Sequence, residues 1–132
     1  MKVKLLFYSF AAVVAVAIAH KLGMIFYLYW TTFWFDNFSH LLGGLSMGLF
    51  AFWIFRNLCD FKNPLSFRML AMFIFFLVII IGVGWEVFEY IYDIADPQGG
   101  ETYWQDTTYD LFADSLGAII ASIIIYKNKL YA

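Results

Sequence analysis

Residues 67–93 read FRMLAMFIFFLVIIIGVGWEVFEYIYD. A bilayer span needs about 20 mostly apolar residues at 1.5 Å rise each, and this stretch supplies them before it ends in Glu86, Glu89 and Asp93. Three further stretches behave alike when the reading is carried outward. One runs from Leu5 through Ala19 and past Lys21 to Trp30 (about 5–30), a second covers about 37–56, and the last covers about 106–126. Asn63-Pro64-Leu65-Ser66 and Asp96-Pro97-Gln98-Gly99-Gly100 supply the breakers between them. The expected fold is all-α: a polytopic membrane protein built as a four-transmembrane-helix bundle, with residues 1–132 as one integral membrane domain.

Composition points the same way. Hydrophobic residues make up 64% and charged residues 14%, against roughly 45–50% and 25% in soluble domains. A chain of 132 residues cannot bury that much apolar surface in water. Aromatics reach 23%, with 16 Phe, which excludes disorder, collagen-like repeats and basic nucleic-acid arms, so no nucleic-acid partner is expected. Cys59 is the one cysteine, so neither an internal disulfide nor a cysteine zinc site is available. Two lysines, an apolar run and Ala17-Ile18-Ala19 also have the layout of a secretory signal. An uncleaved first helix is expected.

Lysine and arginine placement sets the orientation, because cytoplasmic loops retain positive charge. Lys2, Lys4, Arg56, Lys62, Arg68, Lys127 and Lys129 share one side of a four-span arrangement, and only Lys21 lies on the other. Both termini are therefore expected in the cytoplasm, with the chain in the cytoplasmic (inner) membrane among its lipids. A second copy of the chain, in a homo-oligomer, is the further partner to consider. Of the ten acidic residues, Asp60 alone joins the basic side. Asp36, Glu86, Glu89, Asp93, Asp96, Glu101, Asp106, Asp110 and Asp114 fall in the outer half with His20 and His40.

At 100° per residue, Glu86, Glu89 and Asp93 lie within about 60° of one another, and Asp106, Asp110 and Asp114 within about 80°. Asp36 and His40 form a third stripe, continued by Gly43, Gly44 and Met47. Taking Asp36, Asp93 and Asp106 as outer ends, His40, Glu89 and Asp110 lie roughly 6 Å deeper, and Glu86 and Asp114 roughly 10–12 Å deeper. An ionised side chain facing lipid near mid-bilayer costs at least about 2.5–3.5 kcal/mol, so these groups should face protein or water. Without cationic neighbours, crowded carboxylates must hold protons or a metal ion. Imidazole with carboxylates suits Zn²⁺, Mn²⁺ or Fe²⁺, and an all-oxygen subset suits Mg²⁺. The expected ligands are His40, Glu86, Glu89, Asp110 and Asp114, with Asp36, Asp93 and Asp106 as outer or additional ligands.

Simpler roles compete at several positions. Asp106 and Asp36 have the chemistry of helix N-caps. Asp96 and Glu101 suit a solvated loop, and His20 suits a snorkelling place at the interface. Trp30, Trp34, Trp104, Tyr27, Tyr29 and Tyr103 suit an aromatic belt. Gly43, Gly44, Gly48, Gly82, Gly84 and Gly117 suit close helix packing, with Gly44 and Gly48 in a G-x-x-x-G step. No G-x-S-x-G elbow, H-E-x-x-H, P-loop or G-x-G-x-x-G is present.

The run Asp36-Asn37-Phe38-Ser39-His40, then Glu86-Val87-Phe88-Glu89, then Asp106-Thr107-Thr108-Tyr109-Asp110 resembles the YjdF-like family of small bacterial membrane proteins, which carry D-x-x-x-H, E-x-x-E and W-D-T-x-x-D in that order. Gln105 stands here where that family commonly has Trp. The order is more loosely similar to VanZ-like proteins, with Glu89 and Asp114 in place of amides. Both resemblances imply a shared polar site and name no reaction. The expected activity is metal-dependent hydrolysis of a lipid or cell-envelope ester or phosphate, with Glu89 as general base. Proton or divalent-cation transport and a partner-docking role are the alternatives.

Overall fold

The computed structural model describes residues 2–58, 65–93 and 102–130. The elements are α1 (Lys2–Ile25), a one-turn α2 (Leu28–Thr31), α3 (Phe35–Leu58), α4 (Phe67–Tyr92) and α5 (Tyr103–Lys127). Four of them are long and apolar enough to cross a membrane. Asp60, Lys62, Cys59, Asp96, Glu101 and most of both connectors lie outside the described residues.

The chain is turned outward compared with a soluble bundle. Phe7, Phe10, Phe76 and Ile80 are more than half exposed, a placement that lipid tolerates and water does not. Small and polar residues go inside. The buried stripe of α5 runs Asp110, Ala113, Asp114, Gly117, Ala118, Ala121, Ser122 and Ile125, the period of one helix face. It lies against α3, where a Cβ on Gly44 would run into the Asp114 backbone and one on Gly48 would meet Ala121. Gly117 in turn sits against the backbone of Leu41 and Leu45. Small residues on both helices thus bring α3 and α5 together, running parallel, as the glycine spacing leads one to expect. Gly84 has no such role, since nothing lies within 4 Å of its Cβ position.

The buried face of α4 steps by four through Leu70, Ile74, Val78 and Gly82 to Glu86. Periodicity therefore carries an acidic side chain inward on the same ridge as the apolar ones. Leu5, Leu49, Phe52, Leu70, Ile74, Ile125 and Leu130 join one apolar cluster toward the end of the bundle opposite α2. Ser9, Ser46 and Ser122 are buried with it, each hydroxyl donating to a carbonyl of its own helix.

Three element ends differ from the sequence expectation. The first span does not continue to Trp30: Tyr27 takes a left-handed conformation (φ 56°, ψ 30°) and separates α2 from α1. A Cβ at Gly23 would meet Phe35 and Tyr29 rings at 2.5 and 2.6 Å, so this glycine is what lets the chain fold back there. Asp106 does not cap α5. Thr102 does, accepting from the Gln105 backbone N–H, while the Gln105 side chain accepts from Thr102 N–H at 2.9 Å. Asp36 lies inside the first turn of α3 rather than before it, where its charge suits the helix N-terminus.

Candidate functional site

The α2 end of the bundle collects the acidic stripes. α3 brings Asp36 and, one turn on, His40; α4 brings Glu86 and Glu89; α5 brings Asp110 and Asp114. His40 lies at the centre. Its Nε2 is 3.8 Å from Asp110 Oδ2 and its Nδ1 is 3.6 Å from Asp114 Oδ2. His40 with Asp36 and Asp110 forms one set, and His40 with Glu86 and Glu89 another; within each set the ligand atoms lie within 4.8 Å of one another.

Glu86, Asp110 and Asp114 are only 4%, 1% and 6% exposed. Thr107 Oγ1 donates to Glu86 Oε2 at 2.7 Å, and Tyr103 Oη donates to the Glu86 carbonyl at 2.7 Å. Trp85 Nε1 donates to Glu89 Oε1 at 2.9 Å. These donors fix the two glutamates in place. Glu86 Oε1 and Asp110 Oδ1 are buried and receive no hydrogen bond from the described residues.

A cavity of about 680 Å³ adjoins the cluster and is lined mainly by α1, α3 and α4, with α2 contributing Tyr29 and Trp30 and α5 contributing Asp106 and Asp114; Asp36, His40 and Glu89 join those two aspartates at its polar end. Among the described residues no Lys or Arg lines it. Asp93 stands apart: it ends α4 in a left-handed conformation (φ 53°), exposed, and belongs to neither ligand set. Asp106, in the first turn of α5, lines the cavity without entering either set.

Sequence reading misses a second polar chain on the opposite wall. His20 Nδ1 and Tyr29 Oη are 3.1 Å apart, Tyr29 Oη and Ser39 Oγ are 3.1 Å apart, and Ser39 Oγ donates to the Phe35 carbonyl. His20, exposed, thus has a hydrogen-bonding partner in Tyr29. Tyr29 and Tyr103 are half-buried and hydrogen-bonded, whereas Trp30, Trp34, Trp104 and Tyr27 are exposed. Burial pushes the Tyr29 phenol up from its ordinary value; the Ser39 hydrogen bond opposes this, and the charges of Asp36 and Glu89 add to it. The phenol therefore stays neutral. No spacing signals this chain, because it crosses the helix break at Tyr27. The Trp85–Glu89 link, in contrast, has the ordinary four-residue spacing of a helix pair.

Fold and site together define a four-span membrane protein with a carboxylate–histidine cluster at one end. The chain belongs to the family described as "Predicted membrane protein (DUF2238)", whose model matches residues 1–129. This is the YjdF family, as the three acidic motifs imply; the VanZ similarity has no such support. No curated protein and no solved structure matches the chain.

Proposed function

We propose that the chain binds a divalent metal ion between α3, α4 and α5 and uses it for hydrolysis at the membrane surface. The observation that carries this reading is the pair of buried oxygens, Glu86 Oε1 and Asp110 Oδ1, left without a donor beside the His40 imidazole. Buried carboxylates are stable when paired or when they coordinate a cation. Metal–oxygen and metal–nitrogen bonds of about 2.0–2.2 Å place ligand atoms of one shell roughly 3–4.4 Å apart, which fits sets gathered within 4.8 Å. The donor set therefore fits Zn²⁺, Mn²⁺ or Fe²⁺, and its all-oxygen subset Mg²⁺.

In this reading His40 Nε2, Asp36 and Asp110 hold the ion, while Glu86 and Glu89 form the adjoining set that shares His40. Asp114, whose Oδ2 lies 3.6 Å from His40 Nδ1, favours the tautomer with its proton on that nitrogen, which leaves Nε2 free to ligate. Asp106 supplies a further carboxylate at the cavity wall, and Asp93 takes no part. When bound, the ion lowers the pKa of a water and polarises the group under attack. Glu89, with Oε1 held by Trp85, takes the water's proton on its other oxygen and returns it to the leaving alcohol. The orientation that fits the basic residues puts this end in the outer leaflet of a bacterial cytoplasmic membrane, with both termini in the cytoplasm. Transport draws less support, since the buried serines of the opposite half are spent on their own helices.

Metal analysis of the purified protein tests the reading. Wild type should carry about one ion per chain or more, and a Glu86→Ala, Asp110→Ala double variant should lose it. Metal content unchanged by the double substitution, or a metal-free wild type that takes up none of the four ions, overturns it.

A further inference from the structure

The cavity has one wall missing. α1 packs on α3 and α4 packs on α5, but among the described residues no extended packing joins α1 to α4, although both line the cavity. It therefore opens sideways, into the hydrocarbon rather than only toward water. Its lining also changes along its length. Past the carboxylates lie Met47, about 10 Å along α3 from His40, and Ile81 and Val78, about 12 and 16 Å along α4 from Glu89. Across from them α1 contributes Val16. A polar end joined to an apolar slot is the complement of an amphiphile.

Charge decides which head group fits. The carboxyl groups of Asp36, Glu89, Asp106 and Asp114 line the cavity, with no Lys or Arg among the described residues there to offset them. A net anionic head is opposed by that lining, and a head whose phosphate is balanced by an ammonium group is favoured. The rings of Tyr29, Trp30, Trp85 and Phe88 stand around the same space, and aromatic faces attract ammonium groups. The volume, about 680 Å³, lies within the roughly 300–1,000 Å³ of small-ligand sites. It takes a head and one chain, leaving the second chain of a diacyl lipid in the bilayer through the open side.

We propose that the cleft between α1 and α4 binds a membrane phospholipid through an ammonium-bearing head group, with one acyl chain lying along Met47, Val78 and Ile81. This names a ligand for the cavity of the preceding section and rests on that cavity, though not on the metal.

Native mass spectrometry of the protein released from vesicles of equal phosphatidylethanolamine and phosphatidylglycerol tests it, with metal content read on the same sample. The expected result is retained phosphatidylethanolamine at about tenfold preference, which corresponds to about 1.4 kcal/mol. Gly43→Leu should abolish retention: a Cβ there meets only Asp114 Oδ1, at the ordinary distance of 3.8 Å, so the larger side chain fills the cavity. Gly84→Leu, outside the cavity with open space around it, should retain the lipid. Should Gly43→Leu not be recovered folded, Met47→Trp blocks the chain slot instead. Equal or preferred phosphatidylglycerol, no lipid at all, or undiminished retention by the blocked variant overturns the proposal. Lipid without metal would count against the metal reading alone, and metal without lipid against this one alone.

Discussion

Thr107 is the donor that Glu86 receives from α5, and replacing it tests the polar core directly. Thr107→Val keeps the shape and leaves a buried carboxylate with neither oxygen hydrogen-bonded to a side chain. The loss should be about 1–3 kcal/mol, read as a lower unfolding temperature in detergent; an unchanged transition would show that the contact contributes nothing. Metal uptake should weaken as pH falls, because protons compete with the cation for His40 and the carboxylates. Isothermal titration at two pH values checks the sign, and affinity that rises on acidification contradicts the assignment. At this scale the spacing of Asp36 with His40 and of Asp110 with Asp114 makes the cluster legible in the sequence, since four residues is one helix face. The His20–Tyr29–Ser39 chain is not legible. It depends on a left-handed tyrosine with no Gly or Pro beside it to mark the turn.

Helix packing rests on glycines whose roles differ. Gly117→Ala drives a methyl group into the α3 backbone at Leu41 and Leu45 and should cost about 1–3 kcal/mol through overpacking. Gly84→Ala meets nothing within 4 Å, so it should be neutral or raise stability by up to about 1 kcal/mol through better helix propensity. Thermal unfolding of the two variants side by side checks this, and equal effects would contradict the packing described. Sequence shows glycines at helical positions without telling which face a neighbour, because that depends on crossing geometry. Helix starts show a similar limit. The acidic repeat suggests a beginning at Asp106, but the Thr102–Gln105 capping box places the start of α5 one turn earlier. Gln105 is the residue that closes that box.

Hydropathy and breaker residues make the four long helices legible, and the basic residues suggest how they sit. Cysteines introduced near either terminus, in a Cys59→Ser background, should react with an impermeant reagent only after the cytoplasmic face is opened; labelling from outside reverses the orientation. The cavity could not be read in advance, as it arises where α1 and α4, both in contact with α3, have no extended packing on each other among the described residues. The contacts of Glu86 also bear on how the molecule is made. Its two donors, Tyr103 and Thr107, are supplied by α5, which leaves the ribosome after α4. Until then α4 meets the bilayer with an unsupported acidic residue, at about 2.5–3.5 kcal/mol if ionised and facing lipid. Biogenesis therefore has a commitment point: a nascent chain stopped before Tyr103 should be held at the insertion machinery or degraded, and release into the membrane should follow synthesis of the last helix.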